Sequence, residues 1–237
     1  MAAGQFILAI DQGTTSTKAI VLDAAGRLRG ESPSACRIDA MYPHPGWVEF
    51  DPAQILESVH WSAETAVRSA GLSFSDIAAI GLANQGETCV AFDSHTGRPI
   101  CPAISWQDRR SESLVEEWRA AGLESEVVAA TGLRLDAYFT APKLAWLLRH
   151  VPEAQELHAG GGLRYGTSDA WLIWQLTGGR KFATDAATAS RTMLFDLATQ
   201  RWSPQLLAAF GLAESALPAV VGNAEVVGVT DPRWFGL

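Results

Sequence analysis

The sequence lacks the features that mark several common protein classes. Among its 237 residues no hydrophobic run reaches the roughly 18 to 20 residues that a membrane span requires, and the start MAAGQF has no charged segment before an apolar stretch, as an export signal would. Positive charge is also scarce, with 18 Lys and Arg against 26 Asp and Glu. Binding to nucleic acid or to an anionic membrane depends on clustered basic side chains. We therefore expect a soluble, unexported protein whose partner is a small molecule, not nucleic acid or a membrane.

Cysteine is nearly absent as well. Cys36, Cys89 and Cys101 are an odd number, stand in unrelated contexts and form no CxxC pair. The five histidines are scattered, with no pair at metal-ligand spacing. These observations disfavour both a disulfide framework and a zinc site, and a reducing cytoplasm fits best.

The order of predicted elements is that of an α/β domain. Residues 6–10 and 18–23 are rich in strand formers and flank a polar loop, and a third extended segment follows over 27–36. Asp51 and Pro52 supply an N-cap and a first-turn proline for a helix whose apolar residues recur at helical spacing. Further strands are predicted over 77–82, 88–92 and 191–195, and further helices over 114–122, 142–150, 169–176 and 204–210. This order predicts a mixed sheet flanked by helices.

The loop DQGTTSTK, residues 11–18, combines a carboxylate, a glycine, four hydroxyls and an ammonium group. Glycine lets backbone N–H groups approach an anion, hydroxyls donate further hydrogen bonds, and Lys18 neutralises charge. Asp11 would repel a phosphate unless a metal lay between them, so Asp, Mg²⁺ and phosphate form a coherent set. The alternative is a hairpin loop made of ordinary turn formers. The sequence contains neither a Walker loop nor a GxGxxG motif that opens a helix.

Six segments in order resemble the FGGY carbohydrate kinase family, and within it most of all the glycerol kinases. They are ILAIDQGTTSTK (7–18), GLANQGET (81–88), AISWQDRR (103–110), TGLRLDAYF (131–139), GTSDAWLIW (166–174) and the stretch 184–195. The resemblance implies an RNase H-like α/β domain of the actin and hexokinase superfamily, spanning residues 1–237 and binding the hydroxylated substrate. A second domain with the adenosine site, absent from this chain, would follow it.

The resemblance also implies roles for the residues of the loop. Asp11 would hold Mg²⁺, and an ATP cosubstrate would meet the loop through its β- and γ-phosphates. The residues that would approach these phosphates are Gly13, Thr14, Thr15, Ser16 and Lys18. Phosphoryl transfer needs mainly alignment and charge neutralisation, which this division of roles supplies. A Lys18 that only borders a strand is the alternative.

The matching positions for a polyol or sugar site are Glu87, Trp106 and Tyr138. Glu87 can accept hydrogen bonds from two neighbouring hydroxyls, Tyr138 can bond another, and Trp106 offers a flat apolar surface to the carbon chain. Core packing is the alternative for the two aromatic residues. Gly86 departs from the family, because glycerol kinases have an arginine immediately before this glutamate. We expect this loss to change which polyol is favoured, with a larger substrate in the vacated volume.

The catalytic base of the family is an aspartate in a later Gly-Asp-Gln-type segment, which this sequence does not reach before Leu237. We therefore expect the chain to be part of a longer enzyme, with a natural truncation as the alternative, and to be inactive alone. A non-catalytic polyol-binding or regulatory module is a second hypothesis, and an actin-like or chaperone-like ATPase a third. Family members often form dimers and tetramers, which leaves a homo-oligomer open alongside a monomer. Residues 190–192 are expected to brace a turn.

Overall fold

A computed structural model describes residues 5–235. Residues 1 and 237, the expected limits of the domain, lie outside the described residues. The strands are β1 (Phe6–Gln12), β2 (Ser16–Asp23), β3 (Leu28–Glu31), β4 (Cys36–Arg37), β5 (Ala40–Met41), β6 (Glu49–Phe50), β7 (Ile77–Asn84), β8 (Cys89–Asp93), β9 (Ala103–Ile104), β10 (Leu163–Thr167), β11 (Ala183–Asp185), β12 (Phe195–Asp196), β13 (Arg201–Trp202) and β14 (Ala219–Val221). The α-helices are α1 (Pro52–Ser69), α2 (Glu112–Ala120), α3 (Glu124–Thr131), α4 (Thr140–His150), α5 (Pro152–Ala159), α6 (Ser168–Leu176), α7 (Ala186–Ala189), α8 (Pro204–Phe210) and α9 (Pro232–Phe235).

The first sheet has the strand order β3-β2-β1-β7, with β4 also paired to β2. The β1 strand pairs antiparallel with β2 and parallel with β7, which confirms the predicted opening hairpin and the mixed sheet. Alternate residues of the hairpin, among them Leu8, Ile10 and Val21, are buried against α1. Asp11 lies opposite Lys18 in the register, and both are exposed on the other face.

Helix α1 begins as the sequence predicts. The Asp51 carboxylate accepts a hydrogen bond from the backbone N–H of Ala53 at 2.8 Å, and Pro52 occupies the first turn. The helix ends before Gly71, whose φ of +69° is in the left-handed region that favours glycine. Its buried face lies so close to β3 that a Cβ on Gly30 would stand 2.6 Å from the carbonyl oxygen of Ala66.

A second sheet, of strand order β10-β8-β9-β6-β5, is antiparallel throughout and was not predicted. Helices α2 and α4 bury residues such as Leu114 and Leu144 in one core with Cys89 and Ile104 of this sheet. Burial raises the pKa of Cys89 to about 11 and that of Cys101 to about 12, so both remain thiols. No described helix has the length and apolar character needed to cross a membrane.

The predicted strand over 191–195 is wrong. This segment is a turn that follows α7, in which Thr192 donates its backbone N–H to Ala189 and accepts from the N–H of Ala141. Met193 has a φ of 64°, and a non-glycine residue in that region cannot continue a strand. Only Phe195–Asp196 pairs as a strand, with β13. Four described helices, α3, α5, α7 and α9, were also missed.

Candidate active site

The carboxyl ends of β1 and β7 lie side by side because these strands run parallel. Gln12 is the register partner of Asn84, and the next residue, Gln85, donates its backbone N–H to the Gln12 carbonyl at 2.9 Å. The loop 13–15 after β1 and the loop 85–88 after β7 therefore meet at one edge of the sheet. Such an edge is where ligands bind in open α/β sheets.

Buried polar side chains fix the two loops against each other. Gln12, Gln85 and Thr88 are all buried. The Thr88 hydroxyl donates to Gln85 Oε1 at 2.8 Å, and Ser168 Oγ donates to Gln12 Oε1 at 3.3 Å. Thr88 Oγ1 also accepts from the backbone N–H of Trp106 at 3.3 Å. Because an unpaired buried amide or hydroxyl is costly, this network specifies one arrangement of the loops.

The loop 13–15 presents donors suited to an anion. Gly13 donates its N–H to the Ser16 carbonyl at 3.0 Å, and a Cβ at Gly13 would stand only 3.1 Å from that oxygen. Within residues 5–235, the backbone N–H groups of Thr14 and Thr15 donate no hydrogen bond to another protein group. Two free N–H groups beside hydroxyls form a cradle for phosphate oxygens.

Asp11 and Lys18 stand beside this cradle on the open face of the first sheet. They pair across the hairpin, so their side chains lie on one face, and both are exposed. An exposed carboxylate next to a phosphate cradle suits Mg²⁺, which is bound through one or two carboxylates together with substrate phosphates. Asp11 and Lys18 therefore fit the Mg²⁺ ion and the phosphate groups that the resemblance assigned to them.

The structure brings together Glu87, Trp106 and Tyr138, the three residues that the resemblance assigns to the substrate site. The pairing of Cys89 with Ile104 sets the ends of β8 and β9 side by side, and this places Glu87 near Trp106. The Trp106 ring lies 5.4 Å from the Tyr138 ring, with 59° between the planes. Glu87 is buried and both aromatic residues are half-buried. We call this cluster of an acidic group and two neighbouring aromatic rings the recess.

Tyr138 is held by a residue that sequence reasoning missed. Lys143 is fully buried on α4, and its Nζ donates to the carbonyls of Ala137 at 2.8 Å, Tyr138 at 2.6 Å and Phe139 at 2.8 Å. Three carbonyls match the three N–H donors of an ammonium group. Burial lowers the pKa of Lys143 to about 8, and its charge is retained at neutral pH. The sequence contained one signal for this role, since Lys143 stands among the apolar residues of the helix predicted over 142–150.

Arg191 also belongs to this recess, although the sequence assigned residues 190–192 to a structural role. Its Nε donates to Glu87 Oε1 at 2.7 Å, and its guanidinium carbon lies 5.2 Å from the centre of the Phe139 ring. A Cβ at Gly86 would lie 3.4 Å from Arg191 Cγ, so the space beside Gly86 is bordered by Arg191. No local pattern could reveal a contact between segments 104 residues apart.

The structural role holds for the two neighbours of this arginine. Ser190 Oγ donates to the Ala187 carbonyl at 2.6 Å, and Thr192 Oγ1 donates to the Ala189 carbonyl at 2.7 Å. Both hydroxyls thus bond within the turn that follows α7, where they brace the backbone. Arg191 alone reaches the recess.

One hydrogen bond joins the phosphate cradle to the recess. Trp106 Nε1 donates to Thr14 Oγ1 at 2.9 Å, and the Thr14 hydroxyl keeps its own proton to donate to a ligand. A group bound over Trp106 would therefore lie next to a group bound by the loop. Transfer of a phosphoryl group to a hydroxyl requires such adjacency.

The sequence profile of the FGGY family of carbohydrate kinases, N-terminal domain, matches residues 6–237. The chain belongs to this family. A glycerol kinase from Methylibium petroleiphilum is 49% identical over 231 residues, which cover 98% of this chain and 46% of the relative. A glycerol kinase from Bordetella pertussis is 47% identical over 236 residues, which cover 100% of this chain and 46% of the relative. The chain thus spans about half the length of these curated relatives.

Solved structures of the family share this fold. Plasmodium falciparum glycerol kinase with ADP superposes with a TM-score of 0.87 at 30% identity, over 98% of this chain and 47% of that one. A xylulose kinase from Rhodospirillum rubrum gives 0.85 at 26% identity, over 98% and 46%. These likenesses confirm the predicted RNase H-like α/β fold.

Proposed function

We propose that the full-length protein is an ATP-dependent kinase that phosphorylates a hydroxyl of a polyol or sugar, and that this chain is its substrate-binding half. The observation that carries the proposal is the hydrogen bond from Trp106 to Thr14, because it sets an anion cradle directly beside a recess suited to a hydroxylated ligand. The family and the relatives named glycerol kinase and xylulose kinase support the same reaction.

In this proposal the loop 13–15 binds the terminal phosphates of ATP. The free N–H groups of Thr14 and Thr15 and the hydroxyls of Thr14, Thr15 and Ser16 donate to phosphate oxygens, and Lys18 neutralises charge. Asp11 would hold Mg²⁺, which when bound neutralises charge that develops on the phosphates. Because Gly13 has no Cβ, the hairpin backbone can come close to these oxygens.

The recess binds the acceptor substrate. Glu87 accepts hydrogen bonds from its hydroxyls, Tyr138 offers a phenol, and the Trp106 ring covers the carbon chain. The space beside Gly86, where we expected a larger substrate, is bordered by the Arg191 side chain. The substrate class that suits a buried carboxylate between aromatic rings is a small polyol or sugar.

A second domain would complete the enzyme. The matched relatives continue well beyond the region that this chain covers. In the described chain β7 pairs only with β1, and a cavity of 540 Å³ lies along it, lined by β7, α6 and the segment 221–230. We infer that a following segment covers this edge, and that the catalytic aspartate and the adenosine site lie in it. This chain alone is then inactive. The free thiols of Cys36, Cys89 and Cys101 suit a cytoplasmic location, which we propose for the full-length protein. Assembly into a homo-oligomer is a further proposal, which the family resemblance alone supports.

Steady-state ADP release by the full-length protein tests the proposal. With ATP and Mg²⁺ present, we expect turnover with at least one compound among glycerol, four- and five-carbon polyols and ketoses, and loss of most of it in Glu87→Gln. Calorimetric binding of a polyol without any ADP release would favour a non-catalytic binding module. Neither binding nor turnover with any compound would refute the proposal.

A further inference from the structure

We propose that Arg191 is a substrate-binding residue that supplies, beside Glu87, the cationic hydroxyl donor of the recess. This inference rests on the proposed function, which it deepens by naming a further residue and the part of the substrate it recognises. Arg191 and Glu87 together would bind two neighbouring hydroxyls of the substrate, that is, a vicinal diol.

The position of the guanidinium group is set by the recess itself. Arg191 Nε donates to Glu87 Oε1 at 2.7 Å, and the guanidinium carbon lies 5.2 Å from the Phe139 ring and 6.0 Å from the Tyr138 ring. Planar guanidinium groups pack well against aromatic rings and are weakly hydrated. The arginine is therefore held among the groups that line the recess.

The two members of this ion pair differ in how much of their side chain solvent can reach. The side chain of Glu87 is 9% exposed, whereas that of Arg191 is 40% exposed. The bond to Glu87 uses one of the five N–H donors of the arginine. The guanidinium group therefore has further donors on a part of its surface that a ligand can reach.

Gly86 allows this arrangement. An ideal Cβ at position 86 would already lie 3.4 Å from Arg191 Cγ and 3.8 Å from its Cβ, which is ordinary van der Waals contact. The arginine stem therefore lies directly beside the backbone of Gly86. The turn that presents Arg191 is fixed on its other side, where Thr192 bonds to Ala189 and Ala141.

The chemistry of the pair fits adjacent hydroxyls. An ionised carboxylate only accepts hydrogen bonds and a guanidinium group only donates them. One hydroxyl can donate to Glu87 while its neighbour accepts from Arg191, so both polar groups of a vicinal diol are paired. A site of this kind discriminates against an analogue that lacks one hydroxyl, because a polar group of the protein is then left unpaired.

The test compares Arg191→Met with the wild type in the full-length protein. The ligands are the best substrate among the tested polyols and sugars and its analogues that lack one hydroxyl each, which for glycerol are 1,2-propanediol and 1,3-propanediol. We expect the variant to weaken binding of the substrate by about 10- to 100-fold, the range for a lost hydrogen bond to a charged group. For the analogue that lacks the hydroxyl bound by Arg191, the loss of affinity caused by the substitution should be at least fivefold smaller than for the substrate. KM for ATP should stay within twofold of the wild-type value.

The control is Arg134→Met, which removes an exposed arginine and should bind all ligands as the wild type does. If Arg191→Met does not fold, Arg191→Lys, which keeps the charge but loses the planar set of donors, is expected to show the same discrimination to a smaller degree. If Arg191 only positions Glu87, Arg191→Met and Glu87→Gln lose discrimination against the same analogue. That result, or equal weakening for the substrate and every analogue, would overturn the inference. Failure of the wild type with every compound would instead refute the proposed function.

Discussion

The buried lysine offers the sharpest test of how the fold builds the recess. Lys143→Met keeps the length and apolar stem of the side chain but removes the group that bonds to the carbonyls of residues 137–139. These carbonyls belong to the loop that presents Tyr138. We therefore expect the substitution to affect both stability and the binding of substrate.

Two opposing effects set the size of the change in the free energy of unfolding. A buried carbonyl that loses its donor costs about 1 to 3 kcal/mol, so three such losses near the middle of this range cost about 6 kcal/mol. In return, the variant no longer buries a charge. Burial moves the pKa of Lys143 from 10.5 to about 8, which corresponds to about 3 kcal/mol. A net destabilisation of about 3 kcal/mol is expected.

Chemical denaturation of the full-length protein, followed by tryptophan fluorescence, measures this difference. Lys181→Met removes an exposed lysine and is the matched control, with an expected change within about 0.5 kcal/mol. In activity assays the Lys143 variant is expected to raise KM for the acceptor substrate more than KM for ATP. A Lys143→Met protein as stable as the control would refute the role assigned to the three bonds.

Three further substitutions test separate parts of the structure. Trp106→Phe keeps a flat ring but loses the hydrogen-bond donor to Thr14. We therefore expect KM for ATP to rise by about 2- to 10-fold. An unchanged KM for ATP would argue against the hydrogen bond as a link between cradle and recess. Gly30→Ala forces a Cβ against the backbone of α1 and is expected to lower the free energy of unfolding by about 1 to 3 kcal/mol, and a neutral result would contradict the close packing. Burial raises the pKa of Asp169, so in the range just above about pH 4 the folded state binds more protons than the unfolded state and loses stability as the pH rises. Asp169→Asn lacks this loss, and its stability relative to the wild type should grow as the pH rises from about 4; a constant difference would refute the raised pKa of Asp169.

Sequence patterns over a few residues predicted the elements whose formation depends on interactions between near neighbours in the chain. The hairpin followed from strand formers around a polar loop, and α1 followed from Asp51 and Pro52 with helical periodicity, since capping and backbone preferences act within a few residues. The adjacency of Glu87, Trp106 and Tyr138 came from the family resemblance, not from spacing. The structure brings them together through strand pairing.

Contacts between distant segments could not be predicted in this way. The bond from Arg191 to Glu87 depends on a turn after α7 whose left-handed Met193 has no sequence signal, because methionine has no preference for that conformation. The second sheet escaped prediction because all five of its strands have two to five residues, too few for a periodic pattern. Only β8 among them had been predicted as a strand, over 88–92. Lys143 was missed because a charged residue on a helix is usually solvated.

The central claim is that the anion cradle and the polyol recess form one site for phosphoryl transfer. The most direct measurement is a crystal structure of the full-length protein with its acceptor substrate, Mg²⁺ and a non-hydrolysable ATP analogue. The account predicts the terminal phosphate at residues 13–16 and the substrate against Glu87, Trp106 and Tyr138, with a hydroxyl directed at that phosphate. A substrate bound elsewhere, or a nucleotide that does not contact the loop, would contradict it.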